Sequence, residues 1–251
     1  MSRPHFKDAC KASTARAALI APSKLSLGGT IPPTLDLISL PPPPSSRDYP
    51  QQCYGLQIFL DQASRVLFDS IDGRWQSAYF GPLARQLAGQ WYALPGSLRP
   101  DRWTRWRDDL VPLLHAEDLD SQKIGLALAE ETRAAIEAYT GTGGPYRAMR
   151  DALLKGDRVF LQEVFKGPGE DGSVSLSSWA FWWCMLKDAH WPIIERFGRY
   201  PYRNGILGRG NTAAEQKWLD DACHIAEVPR EIAVRVRDDA KKGNWTALME
   251  C

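Results

Sequence analysis

Between His190 and Gln216 the chain sets one histidine, four arginines and a run of loop glycines into one stretch, HWPIIERFGRYPYRNGILGRGNTAAEQ. Imidazole takes and gives protons near neutral pH. Guanidinium supplies fixed positive charge in a planar fork that suits carboxylate or phosphate. Thr212-Ala-Ala-Glu215 has the capping-box spacing, so a helix should start just after Arg209. A glycine-bearing loop entering a helix N-terminus turns backbone N–H groups toward an anion. As a ligand site the stretch would receive a carboxylate, a phosphate or an enolate oxygen. His190 would move a proton, and Trp191, Arg196, Arg199, Arg203, Asn204 and Arg209 would hold the substrate. As structure, the same arginines would tie the loop to buried carboxylates and carbonyls, because buried arginine is usually paired.

Two further polar clusters interrupt apolar runs. The first is Asp61 and Gln62 with Arg65; the second is His115, Glu117 and Asp118, with Gln122 a turn into the next helix. Charged groups in apolar company must find partners. Asp61, Glu117 and Asp118 are therefore the expected partners of Arg65, Arg196, Arg199 and Arg203. In the catalytic reading His115 and His190 move protons, and Glu117 or Asp118 orients a histidine or acts as the second acid/base. Asp61, Gln62, Arg65 and Gln122 complete the substrate site, and Trp182, Trp183 and Trp191 wall it from water. The chemistry would be that of an isomerase, cyclase, lyase or hydrolase acting on a small anionic metabolite without an organic cofactor. A metal set drawn from His115, Glu117, Asp118, His190 and Asp61 has suitable residue types but no HExxH or comparable spacing, so no metal is expected. Asp108-Asp109 and Asp220-Asp221 are bare pairs, more typical of solvated faces than of a diphosphate site. There is no GxSxG elbow, and Gly141 to Gly144 lacks the Lys-Ser/Thr of a phosphate-binding loop.

These clusters must be carried by helices. Leu56, Phe59, Leu60, Ala63 and Leu67 share one helical face, and Trp75 to Trp91 forms a second amphipathic run. Trp103 to His115 reads as a short helix interrupted by Pro112. Leu119 to Tyr139 is rich in good helix formers, and Tyr146 to Phe165 follows a glycine break. SerLeuSerSer at 175–178 opens the Trp-rich run to Phe197, in which Pro192 predicts a kink or break beside His190 and Gly198 a terminus. Further helices are expected near 212–226 and 229–242, and a short one near Ala12–Ile20. No segment alternates as a strand would. Consecutive helices on short loops imply antiparallel pairs in an all-α fold. Residues 24–50 are proline-rich and extended, with Leu35, Leu37, Ile38 and Leu40 expected to lie against the rest. The organisation read from this is an arm, 1–50, and one helical domain, 51–251.

With 251 residues, 44% hydrophobic and 24% charged, the chain has the composition of an ordinary globular protein. A formal net charge of +1 argues against a nucleic-acid partner held by bulk electrostatics. Five scattered cysteines without CxxC spacing fit reduced thiols. The first residues lack the apolar core of a signal peptide and no run approaches a membrane span, so a cytoplasmic setting is expected.

Three motifs, LDQASRVLFDS at 60–70, PLLHAEDLDSQ at 112–122 and HWPIIERFGRYPYRNGILGRGNTAAE at 190–215, resemble the DUF 924 family of bacterial and fungal proteins. The third is the most specific, with its His, Phe-Gly-Arg, Pro, Arg-Asn, Leu-Gly-Arg and Thr-x-x-Glu elements in order. The resemblance covers about residues 51–226 and implies a tetratricopeptide-like helical bundle. It carries no agreed activity and so no reaction. Ser64-Arg65-Val66 stands where the family carries Pro-Arg-Asn, and Asp69 where it carries arginine. The family's aromatic N-terminal helix is replaced by the proline-rich segment. A tetratricopeptide-like layer also supports the alternative function, a binding module whose arginines clamp an acidic peptide or partner protein.

Overall fold

The structure, a computed structural model, describes residues 8, 15–23, 36–99, 111–156, 167–168, 175–245 and 247–248. Among these there are helices and turns and no strand, as the absence of alternation predicts. The chain divides into two compact units. Unit 1 comprises Met1–Trp103, Tyr202–Thr212 and Ala226–Cys251; unit 2 comprises Thr104–Pro201 and Ala213–Ile225.

In unit 1, α1 is Ala15–Ser23. Helix α2 begins as Tyr49–Ile58, passes through a π turn at Phe59–Ala63 and ends as Ser64–Leu67. Helix α3 repeats that pattern: Gly73–Trp75, a π turn at Gln76–Phe80, then Gly81–Ala93. Tyr49–Ile58 packs on Gly81–Ala93, and Ser64–Leu67 packs on Gly73–Trp75, so α2 and α3 run antiparallel. Their shared core contains Leu60, Leu67, Trp75, Phe80, Leu87 and Trp91, each large side chain contributing about 1.5–3 kcal/mol on burial. The described part of the proline-rich segment lies against this core. Leu37 is buried, and the N–H groups of Leu37 and Ile38 donate to Gln90 Oε1 of α3 at 3.2 and 3.1 Å. Leu40 points to solvent. Leu35 lies outside the described residues.

In unit 2, α4 is the short helix Val111–Leu114, α5 is Leu119–Thr140, α6 is Arg150–Lys155, α7 is Leu176–Phe197 and α8 is Ala213–Asp221. The rest of the expected 103–115 and 146–165 helices, with Asp108 and Asp109, lies outside the described residues. Gln122 meets Tyr200, Arg133 meets Asp188, and Ile136 packs with Ala180 and Phe181, so α5 and the α7 segment run antiparallel. Every residue of α7 from Cys184 to His190 is buried, the mark of a helix enclosed by its own domain. Ser175 caps its start by accepting from Ser178 N at 3.0 Å, and left-handed Gly198 ends it. Of the kink or break expected at Pro192, the break does not occur: the helix continues to Phe197 with Pro192 inside it. Pro192 and Ile193 are themselves buried, so packing holds this turn where one backbone bond is missing. Helix α8 stops earlier than residue 226, because Cys223, His224 and Ala226 adopt positive φ. Helix α9, Arg230–Lys242, belongs to unit 1 and packs on the turn Ser70–Asp72; Pro229 stands just before its first residue.

Candidate functional site

The candidate residues divide between the units. In unit 1, Asp61 sits in the π turn of α2 and is 1% exposed. Its Oδ1 accepts from Arg65 Nη2 at 3.2 Å, and its Oδ2 accepts from Gln62 Nε2. The expected Asp61–Arg65 pair therefore forms. Burial pushes the Arg65 guanidinium below the usual arginine range; Asp61 opposes this and the Arg203 charge adds to it. Arg203 also lies over the Tyr202 ring, 5.8 Å from its centroid. Asn204 is buried; its Nδ2 donates to Asn211 Oδ1 at 2.8 Å, and its carbonyl accepts from the Arg209 N–H at 2.8 Å. These two bonds close the glycine loop. A hollow of about 680 Å³ in this unit is lined by Leu40, Pro41, Asp48, Gln52, Leu56 and Phe59 among others, none of them a candidate.

Unit 2 brings the two histidines together. His190, 6% exposed on α7, places Nδ1 2.6 Å from the carbonyl of Leu186. A carbonyl can only accept, so Nδ1 is the nitrogen that carries the proton in the neutral ring. The His115 ring lies 6.4 Å from that of His190, edge to face, and the Tyr200 ring lies 5.6 Å away on a similar edge. The turn that bears His115 is held from below. Gln122 Nε2 reaches the carbonyls of Leu114 and Ala116 at 2.7 and 2.9 Å, and the Tyr200 hydroxyl at 3.0 Å. Tyr200 in turn donates to Leu114 O at 2.5 Å. Gln122 and Tyr200 are 2% and 0% exposed, so these bonds form away from water.

The carboxylates around this pair have distinct jobs. Glu117 Oε1 accepts from the Tyr200 N–H at 3.1 Å. Asp118 caps α5, its Oδ1 accepting from Ser121 N at 2.8 Å. Glu215, expected to close a capping box, is 2% exposed and takes both arms of Arg199 at 2.6 and 2.8 Å. Those bonds, and after them the charges of Glu215 and Glu117, hold Arg199 protonated more firmly than an ordinary arginine. Arg196 is exposed and lies 4.7 Å from the centroid of Phe197, and Trp191 is half-buried. Asp220 and Asp221 stay on the exposed face of α8, bonded to Gln216 and Lys217.

Three residues that sequence reasoning passed over belong to this unit's polar interior. Tyr200 is the hub between His190, Gln122 and Leu114. Asp188, 1% exposed, meets Arg133 and has Arg150 Nε at 3.4 Å; burial nonetheless pushes its carboxyl above the usual range. Lys187 is 3% exposed. The signal for the last two was present: with His190, they are the charged or ionisable interruptions in an otherwise apolar run from Trp179 to Ile194.

Among the described residues no group of three or more His, Cys, Asp or Glu side chains is placed to hold a metal ion, and no helix is long and apolar enough to cross a membrane. The free thiols include Cys53 and Cys184, both buried, and the exposed Cys223. No curated protein and no solved structure matches the chain significantly. A family model described as bacterial protein of unknown function (DUF924) matches residues 42–223, most of the chain and all three motifs that hold the polar clusters, and the protein belongs to that family.

Proposed function

We propose that unit 2 carries a cofactor-independent acid–base site in which His190 and His115 move protons on a small anionic metabolite. The observation that carries this is the tautomer of His190. Its Nδ1 donates to Leu186 O and the residue is buried, so the ring is fixed in one orientation beside a second histidine and a buried tyrosine. A pair with ring centroids 6.4 Å apart, on a turn supported by Gln122 and Tyr200, fits a general acid and a general base acting on neighbouring atoms from one side of a substrate. Glu117, bonded to the Tyr200 backbone, holds the segment that presents this ring. Isomerase, cyclase, lyase and hydrolase chemistry all use such a pair. The antiparallel pairing of α2 with α3 and of α5 with α7 supports a tetratricopeptide-like arrangement, and buried free thiols support a reducing, cytoplasmic setting.

A binding module is the second reading, favoured by one observation: Arg199 already gives both arms to Glu215, as a structural arginine would. The experiment that separates the two incubates the protein in D₂O with pooled small carboxylic and phosphorylated metabolites and follows proton signals by NMR. The expected result is a compound converted or deuterated by the wild type and unchanged by His190→Ala and His115→Ala. Conversion that persists in both variants, or a pool left untouched by the wild type, overturns the catalytic reading.

A further inference from the structure

Helix α2 has a face turned away from its buried residues Tyr49, Cys53 and Gln57. Asp48 at the N-cap, Gln52, Gly55 and Phe59 are spaced i, i+4, i+7 and i+11, so they lie along that face. Asp48, Gln52 and Gly55 are exposed and Phe59 is half-buried. Together with Leu40 and Pro41 of the preceding segment, they border the hollow of about 680 Å³ in unit 1. The wall opposite α2 is stiff, because Pro41 to Pro44 have fixed φ and bring no N–H donor toward the helix. It is also anchored, since the backbone of Leu37 and Ile38 is bonded to Gln90 of α3.

Gly55 is the residue on this face that the fold itself does not explain. Inside a helix glycine is the poorest choice after proline, and it is used where something must approach the backbone closely. Nothing of the protein does so here: a Cβ at Gly55 would meet no atom within 4 Å. What lies over Gly55 is the hollow. Asp48 adds a charge. It is the one ionised group in the lining, and among the described residues its carboxylate has neither a hydrogen-bond nor an ion-pair partner. Along the helix axis Gly55 lies roughly 10 Å from Asp48, and Phe59 roughly 16 Å. The hollow therefore runs from a carboxylate, past bare backbone, to an apolar end.

We infer that this hollow binds a linear organic cation, with its ammonium or guanidinium at Asp48 and its apolar chain laid over Gly55 toward Phe59 and Leu40. The charge of the lining selects a cation, and the apolar far end selects a hydrocarbon body. A volume of about 680 Å³ is that of a small-molecule site. The site belongs to unit 1, and it stands whether or not the histidine pair of unit 2 is catalytic.

The test titrates the full chain with octylammonium chloride and with sodium octanoate by isothermal titration calorimetry. The wild type should bind octylammonium saturably, about threefold or more tighter than octanoate. Asp48→Asn should bring the two probes within about twofold of each other. Gly55→Leu, which fills the hollow, should weaken octylammonium about tenfold or more. Gly89→Leu is the control: Gly89 of α3 is equally open but does not line the hollow, so binding should stay at the wild-type value. Both leucine variants should melt no lower than the wild type, because each replaces a helical glycine in open space. Should Gly55→Leu melt lower, amide NMR of the wild type decides, with octylammonium expected to shift Gln52, Gly55 and Leu56. Shifts confined to other residues overturn the inference, as do absent saturable binding, binding kept in a folded Gly55→Leu, or octanoate bound as tightly as octylammonium. A dimer in sedimentation that Gly55→Leu abolishes would give the hollow to a second copy of the chain and overturn it too.

Discussion

Glu137 shows how one side chain in unit 2 links structure to pH. Its Oε1 accepts from Gly144 N and Arg147 Nε, both at 2.8 Å, and its Oε2 accepts from Arg147 Nη2 at 2.7 Å. These bonds, led by those from Arg147 and then Gly144, pull its carboxyl down to about 2. A carboxyl whose folded pKa is depressed contributes stability that is complete above its unfolded value, near 4.5, and is lost as pH falls toward 2. Arg147 is 41% exposed, so solvent screening cuts the contribution to roughly 1 kcal/mol. Glu137→Gln should therefore lower the unfolding free energy by that amount at pH 6, with the gap closing as pH drops from about 4.5 to about 2. Urea titrations at a series of pH values measure this. A gap that stays constant down to pH 2 would mean that the carboxylate charge is not what holds the loop. His190 makes a parallel point without titration: one backbone bond decides which of its two nitrogens carries the proton.

Among the elements, α7 is the one on which unit 2 depends, and its ends are sharply defined. Gly198 closes it at φ +67°, and a Cβ added there would meet nothing within 4 Å. Gly198→Ala should thus cost only the left-handed backbone penalty, about 1 kcal/mol. A thermal or urea measurement showing a loss several times larger would point to a lost contact instead. The helix borders were legible in the sequence because their causes are local: Ser175 three residues before Ser178, and Gly141 and Gly198 after apolar runs. The first and last turns of α5 matched their expected borders within a residue for the same reason. What did not show was anything with a non-local cause. The π turns at Phe59–Ala63 and Gln76–Phe80 insert a residue that a 3.6-residue period cannot reveal. Arg133 finds Asp188 across 55 residues, and Glu215, read as a capping residue, turns to Arg199. At the site, residue types pointed to His115, His190 and Gln122. Tyr200 was missed because a tyrosine in a Pro/Gly loop looks like any aromatic anchor until its hydroxyl is seen beneath α4.

Over the whole molecule, unit 1 is assembled from three separate chain segments, and its first and last parts depend on each other. Leu248 N donates to Ser23 Oγ at 2.9 Å across 225 residues, and Trp75 packs edge-on against Trp245 with centroids 5.8 Å apart. Arg74, only 3% exposed, reaches Asp239 of α9 at 3.3 Å, and its guanidinium lies 5.1 Å from the Trp245 ring. Such distant closures are costly in chain entropy and late to form, so the contacts that hold α9 should matter more than their number suggests. Removing the carboxylate from a buried arginine is a severe change, because the charge stays in place and loses its answer. Asp239 itself is 20% exposed, which tempers the effect to about 2 kcal/mol for Asp239→Ala. Arg74→Met, which removes the charge and keeps the bulk, should cost less than Asp239→Ala. The solvated pair Lys217–Asp221, 71% and 26% exposed, sets the contrast: Asp221→Ala should change stability by under about 0.5 kcal/mol. Urea unfolding ranks the three variants, and hydrogen exchange locates the loss, with faster exchange expected in residues 73–93 for Asp239→Ala. If Asp239→Ala proves as mild as Asp221→Ala, or if protection in α3 is unchanged, α9 is an appendage to unit 1 and not part of what closes it.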